Sequence, residues 1–179
     1  ERLREESYLD AATGLLNRRG FDQRFEHILS RDDEHSGVLI IMQLQDFADY
    51  NLNAGRQAGD DLLSMLGRTL EQWRGDYPNS ILGRRAGADF ALFVPCADRA
   101  QAEEIVQQTF SLLSVSALSQ RNELSFHVGG VFLQGLQDDP VVAFSRADAA
   151  LRQAQRQPTA RYVLYRDDAP GAGEWTATE

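Results

Sequence analysis

Metal-assisted chemistry needs convergent carboxylates, and the stretch of this chain best shaped to present them carries one. GRRAGADFALF, residues 83–93, reads as a tight turn running into a strand, with Asp89 as the single acid at its tip. A hard divalent cation such as Mg²⁺ is held through oxygen, usually by one or two protein carboxylates. Asp89 alone makes no such site; it is either what remains of a nucleotide-processing loop or a solvated turn acid on a simple hairpin. Gly87 would supply the positive φ that a turn of this kind asks for. His27, His35 and His127 have no ligand spacing, and one cysteine makes no thiolate cluster, so a zinc pattern is missing from the sequence. His127, between Phe126 and Val128, reads as a packed or hydrogen-bonded strand residue. Cys96 has no neighbouring base to activate it and reads as a small, half-buried residue. Arg84 and Arg85 could meet a partner's carboxylate or stand solvated at a strand end.

What positions these residues is one domain. At 179 residues, 42% hydrophobic and 25% charged, the chain is long enough to bury a core and has the composition of a globular protein. A net charge of −9 argues against a nucleic-acid surface, which needs a basic stripe, and against electrostatic docking on anionic membrane. The apolar run at 38–42 is too short to cross a bilayer. One cysteine rules out an internal disulfide and suits a reducing cytoplasm. The chain opens on Glu1 with no signal-peptide pattern, so it is expected to be a piece of a longer protein.

Periodicity predicts the elements. Phe21, Phe25, Ile28 and Leu29 share a face of a helix over 18–30, and Leu62, Leu63, Leu66 and Leu70 of one over 59–73. Residues 38–44 read as a buried strand, and 81–85 with 90–94 as a hairpin around the Asp89 loop. Asp98 can cap a helix over 99–113, and Pro140 can open one running to 155. Strands are expected over 124–133, where Gly129-Gly130 signals a bulge or a close backbone approach, and over 161–165. Residues 1–9 read as the end of an upstream helix, and 167–179 as a linker. Together these predict an α/β (α+β) domain whose sheet is covered by helices.

Several stretches, in order, resemble the GGDEF family of bacterial diguanylate cyclase domains. DAATGLLNRRGF resembles the family's opening Asp-x-Leu-Thr-Gly-Leu-x-Asn-Arg-Arg, with Ala12 in place of Leu. Phe47, Asn51, Gly55, Gly59 and Asp60 match the Phe-Lys-x-x-Asn-Asp-x-x-Gly-His-x-x-Gly-Asp run without a gap. Ala86, Gly87, Ala88, Asp89 and Phe90 fall where the signature loop belongs, and ELSFHVGGV and RADAALRQAQ resemble the later strand and helix. The resemblance covers residues 10–166 and implies a central five-stranded mixed sheet surrounded by helices, like a polymerase palm or nucleotidyl cyclase.

It also implies what has been lost. The family's two metal carboxylates fall on Gln43 and Ala88, with Gln45 at the next acid position and Asp46 at a variable one. Ala48 and Gln155 replace the family's lysines on the phosphate side, and Arg161 is at most a displaced relic of the pattern after the late helix. The Arg-x-x-Asp inhibitory motif falls on Tyr77-Pro78-Asn79-Ser80, with Arg74 and Asp76 out of place. Loss of one well-placed electrostatic group can cost ~10²–10³ in rate, so no catalytic residue and no metal site is expected. Asn51 and Asp60 match the guanine-edge readers; they are either a vestigial purine pocket or a turn residue and a helix cap.

The expectation is therefore a catalytically inactive GGDEF domain without cofactor. It would relay a signal from an upstream sensor or membrane region, with a C-terminal EAL domain and a homodimer in the intact protein. It would be the cytoplasmic part of an inner-membrane cyclic-di-GMP receptor. The alternative is a weak cyclase or GTP-binding regulator, for which Mg²⁺ and GTP would be required.

Overall fold

The apolar run at 38–42 becomes the centre of a sheet. The computed structural model describes residues 8–31, 36–120, 124–134, 139–157, 161–166 and 176–177. Strand β1 (Ser36–Leu44) pairs antiparallel with β3 (Asp89–Pro95) on one side and β4 (Phe126–Gln134) on the other. Strand β2 (Ile81–Ala86) forms the hairpin with β3, β5 (Tyr162–Leu164) runs parallel to β4, and the order is β2-β3-β1-β4-β5-β6. The expected five-stranded mixed sheet is present. A two-residue β6 (Thr176–Ala177) is added at the β5 edge, within the segment expected to be a linker.

Among the described residues five helices accompany this sheet: α1 (Arg18–Ser30), α2 (Phe47–Ala54), α3 (Arg56–Arg74), α4 (Arg99–Gln120) and α5 (Pro140–Arg156). Alternation along the strands divides the core in two. Val38, Ile40, Met42, Phe90 and Leu92 pack with Leu62, Leu66 and Val106 of α3 and α4. Leu39, Ala91, Phe93 and Val131 pack with Phe21 and Phe25 of α1 and Ala143 and Ala147 of α5. Gly129 is a close approach rather than a bulge, because its register with Ile41 is unbroken. A Cβ there would lie 2.2 Å from Leu151 N and 2.6 Å from Ala147 O, so α5 rests directly on β4.

Caps fix the helix starts. Asn17 accepts from Gly20 N at 2.9 Å, Asp98 from Gln101 N at 2.9 Å, and Asp139 from Val141 N ahead of Pro140. Helix α2 was not expected, since it is short and buries no residue fully. Helix α3 begins earlier than the apolar periodicity indicates, straight after Gly55, whose φ of +95° separates it from α2.

The N-terminal boundary departs from expectation. Of the segment read as a helix end, residues 1–7 lie outside the described residues, while Tyr8 stands in a turn and Leu9 forms an antiparallel bridge with Leu16. Asn17 N donates to Tyr8 O at 2.9 Å, and Leu16 also bridges to Gly83 of β2. The chain folds back on itself there and lies along the sheet's edge.

Candidate functional site

At one end of the sheet Asp89, Gln43 and His127 stand opposite one another on β3, β1 and β4. Residues paired in antiparallel register share a face, here the one covered by α1 and α5. Gln43 Nε2 donates to Asp89 Oδ1 at 3.0 Å, and Gln155 Nε2, from the last turn of α5, donates to Gln43 Oε1. Burial pushes the Asp89 carboxyl above its ordinary range, and the charge of Asp148 adds to this. The Gln43 hydrogen bond and Arg85 pull the other way. Asp89 is therefore a held acid rather than a solvated one. His127 is buried, its Nδ1 lacks a hydrogen-bond partner among the described residues, and burial followed by the charge of Arg161 favours the neutral ring.

The loop around Asp89 is built inward. Gly87 has φ +49°, as the turn requires. Ala88 is 6% exposed, its methyl joins the α3/α4 core, and its carbonyl accepts from Leu44 N at 3.2 Å. Phe90 is fully buried, and Ala86 is exposed at the tip. Arg84 Nε donates to Gly87 O at 2.7 Å, while its Nη1 reaches both carboxylate oxygens of Asp10 at 3.1 and 3.2 Å. Asp10 also accepts from Thr13 N at 2.9 Å and Thr13 Oγ1 at 2.7 Å. Arg85 pairs with Asp22 and lies 3.9 Å from the centre of the Phe144 ring. Neither arginine is the solvated or partner-facing group expected from the sequence, because both close contacts within the domain.

Asn51 and Asp60 are not a turn residue and a cap. Asn51 lies within α2 and Asp60 in the second turn of α3, while the N-cap of α3 is Gly55. A Cβ on Gly59 would fall 1.6 Å from Asn51 Oδ1, so only glycine lets that amide seat against α3. Asn51 Oδ1 is buried without a hydrogen-bond partner among the described residues, and Asp60, which follows Gly59 in sequence, is exposed. A buried acceptor of this kind can still take one hydrogen bond from a donor outside the described residues.

The metal fares otherwise. The hard-ion site implied by the resemblance would need acids at 43 and 88; the first is an amide turned toward Asp89 and the second a buried methyl. Among the described residues no group of three or more His, Cys, Asp or Glu converges on one point. The residues present do not fit Mg²⁺. Ala48 is exposed, and Gln155 is committed to Gln43.

The segment matching the inhibitory motif is absorbed by the fold. Arg74 pairs with Glu71 and its Nη1 donates to Ser80 O at 3.2 Å. Ser80 is buried, with Oγ donating to Tyr77 O at 2.7 Å, and the Tyr77 ring meets that of Trp73 edge-on at 4.9 Å. Beside it lies a groove of about 630 Å³, lined by Thr13, Leu15, Arg24, Arg68 and Leu82 among others, which sequence periodicity does not reveal. Cys96 is partly buried, and its thiol is pushed up to about 11 by burial and by Asp98, which leaves it protonated. No helix among the described residues is long and apolar enough to cross a membrane.

A family profile described as "Diguanylate cyclase, GGDEF domain" matches residues 7–161. The cyclic di-GMP phosphodiesterase PdeB of Shewanella oneidensis is 24% identical over 92% of this chain and 19% of its own length. The RNase E specificity factor CsrD of Escherichia coli is 25% identical over 92% of this chain and 26% of its own length. The chain thus spans about a fifth to a quarter of these curated relatives. Among solved structures, the S helix-GGDEF-EAL portion of Vibrio cholerae LapD, bound to c-di-GMP, superposes with a TM-score of 0.80 at 20% identity, over 96% of this chain and 40% of that one. At that identity the likeness is one of fold.

Proposed function

The chain belongs to the GGDEF family, and from that premise we propose that it is a catalytically inactive member acting as a regulatory relay in a cyclic-di-GMP signalling protein. One observation carries the reading. The two positions that would hold the metal present the Gln43 amide, donating to Asp89, and the buried Ala88 methyl. Joining two GTP molecules needs a metal to neutralise the triphosphates and help activate a 3′-hydroxyl, and neither of these two positions offers it a carboxylate. The test is incubation of the 179-residue chain with GTP and Mg²⁺ or Mn²⁺, followed by chromatography. No cyclic-di-GMP above a no-enzyme control is expected, and any excess sinks the reading. Ala88→Asp alone gives no activity, since Gln43 stays in place.

In this reading the domain is the cytoplasmic part of an inner-membrane protein, with a sensor upstream, an EAL domain downstream and a dimer in the intact chain. The tandem arrangement printed for LapD, and the small share of PdeB and CsrD that this chain spans, support that arrangement. A second reading, a GTP-binding regulator or weak cyclase, is favoured by the orphan Oδ1 of Asn51. Calorimetric titration of GTP with and without Mg²⁺ separates the two. Metal-dependent saturable binding belongs to the second, and its absence to the first.

A further inference from the structure

Gln43 holds together three elements that are remote in sequence. Through Nε2 it reaches Asp89, 46 residues away at the hairpin, and through Oε1 it receives Gln155, 112 residues away at the end of α5. A carboxylate at position 43 would stand in cross-strand register with that of Asp89, an arrangement that repels unless a cation lies between. An amide resolves this differently, since one group carries both a donor and an acceptor. Its NH₂ satisfies Asp89 and its carbonyl takes the hydrogen of Gln155, so the row closes without a metal ion. The neighbouring contact of Leu44 N with Ala88 O, at 3.2 Å, fastens the same loop to the same strand.

We infer that Gln43 is a positioning residue that takes the place of a bound cation, strapping the signature loop to β1 and to α5. The seating of the loop is thereby set by Gln155 and is indifferent to divalent metal. Displacing α5 then moves the loop, which gives the relay a defined path between a helix and the hairpin tip. This deepens the proposed relay and rests on it for the statement that no cation is used. The two fail separately: product formation from GTP sinks the relay reading, and an unaltered loop sinks the strap.

The measurement is amide hydrogen exchange in the whole 179-residue chain, followed at Leu44, whose N–H reports loop seating, and at Leu66 in α3 as a control for global opening. Gln155 is partly exposed, so its replacement is the gentler change. Gln155→Met keeps the side-chain length and removes the donor. It is expected to speed exchange at Leu44 about two- to tenfold, the worth of one net hydrogen bond, with Leu66 unchanged. Gln155→Lys keeps a donor and is expected to keep the protection, and millimolar Mg²⁺ should leave the wild-type rates unaltered. The strap is overturned if Leu44 is as protected in Gln155→Met as in the wild type. It is equally overturned if Gln155→Lys loses protection as Gln155→Met does, or if Mg²⁺ raises protection at Leu44.

Discussion

At the scale of single residues, ionisation of Asp89 works against the folded state, because burial holds its carboxyl above the ordinary range. A group whose folded pKa is raised contributes stability below its unfolded value, and that contribution is lost as pH rises through the folded value. Asp89→Asn should therefore melt no lower than the wild type at neutral pH, and its advantage should vanish near pH 3, where both side chains are uncharged. Partial exposure keeps the effect below about 1 kcal/mol. Thermal melts of both proteins across the acid range check the sign, and a variant that gains on the wild type as pH falls would contradict it. Gly59 gives a sharper case. Alanine favours a helix interior by ~1 kcal/mol over glycine, yet its Cβ would meet Asn51 Oδ1 at 1.6 Å. Gly59→Ala is expected to cost about 1–3 kcal/mol by overpacking. In an Asn51→Ala background the same change should become neutral or stabilising. Denaturant titration of the four proteins measures the coupling, and equal costs in both backgrounds would show that the amide is not the obstacle.

Elements were legible where a periodic apolar face is buried, and illegible where polar contacts between distant segments decide. Helix α1 falls on the bounds its four apolar residues predict, and the hairpin and central strand lie within a residue or two of expectation. Helix α2 escaped because nothing in it is fully buried, and the fold-back at Tyr8–Asn17 escaped because backbone bridges leave no mark on composition. The Arg84–Asp10 contact belongs to the second kind. Both side chains are under one-fifth exposed, at 18% and 19%, and they join the N-terminal turn to the loop that follows β2. Here a single guanidinium nitrogen reaches both carboxylate oxygens at a partly buried site, and removing one partner leaves the other charge uncompensated. Arg84→Ala and Asp10→Ala should each cost about 2–4 kcal/mol. The double variant should lose less than their sum by at least about 1 kcal/mol, as expected for residues in contact. Additive losses in a double-mutant cycle would mean that the two ends are held independently.

For the whole molecule, the family and the layering of helices on a mixed sheet could be read from five short stretches in register, but the state of each site could not. Sequence alone shows that Gln43 and Ala88 are not acids. It does not show that the amide closes a hydrogen-bonded row with Asp89 and Gln155, because that depends on strand register and on where α5 lands. The same holds for the segment matching the inhibitory motif. Its residues, and the out-of-place Arg74 that precedes them, are spent on the fold: Arg74 on Glu71 and the Ser80 carbonyl, Ser80 on the Tyr77 carbonyl, and Tyr77 against Trp73. The side chain of Glu71 holds the Arg74 guanidinium and further favours its charged form, and its own carboxyl is pulled down in return. Bidentate recognition of a phosphate or a guanine edge needs an arginine fork that is free to turn toward the ligand. Here the ligand would have to displace both a carboxylate and a backbone carbonyl before gaining a contact. Cyclic-di-GMP is therefore expected not to bind the 179-residue chain at this position with a dissociation constant below about 10 μM, roughly −7 kcal/mol. Calorimetric titration decides the matter. If saturable heat appears in that range and Arg74→Ala abolishes it, the arginine is available after all and the domain senses the product directly rather than relaying a signal received elsewhere.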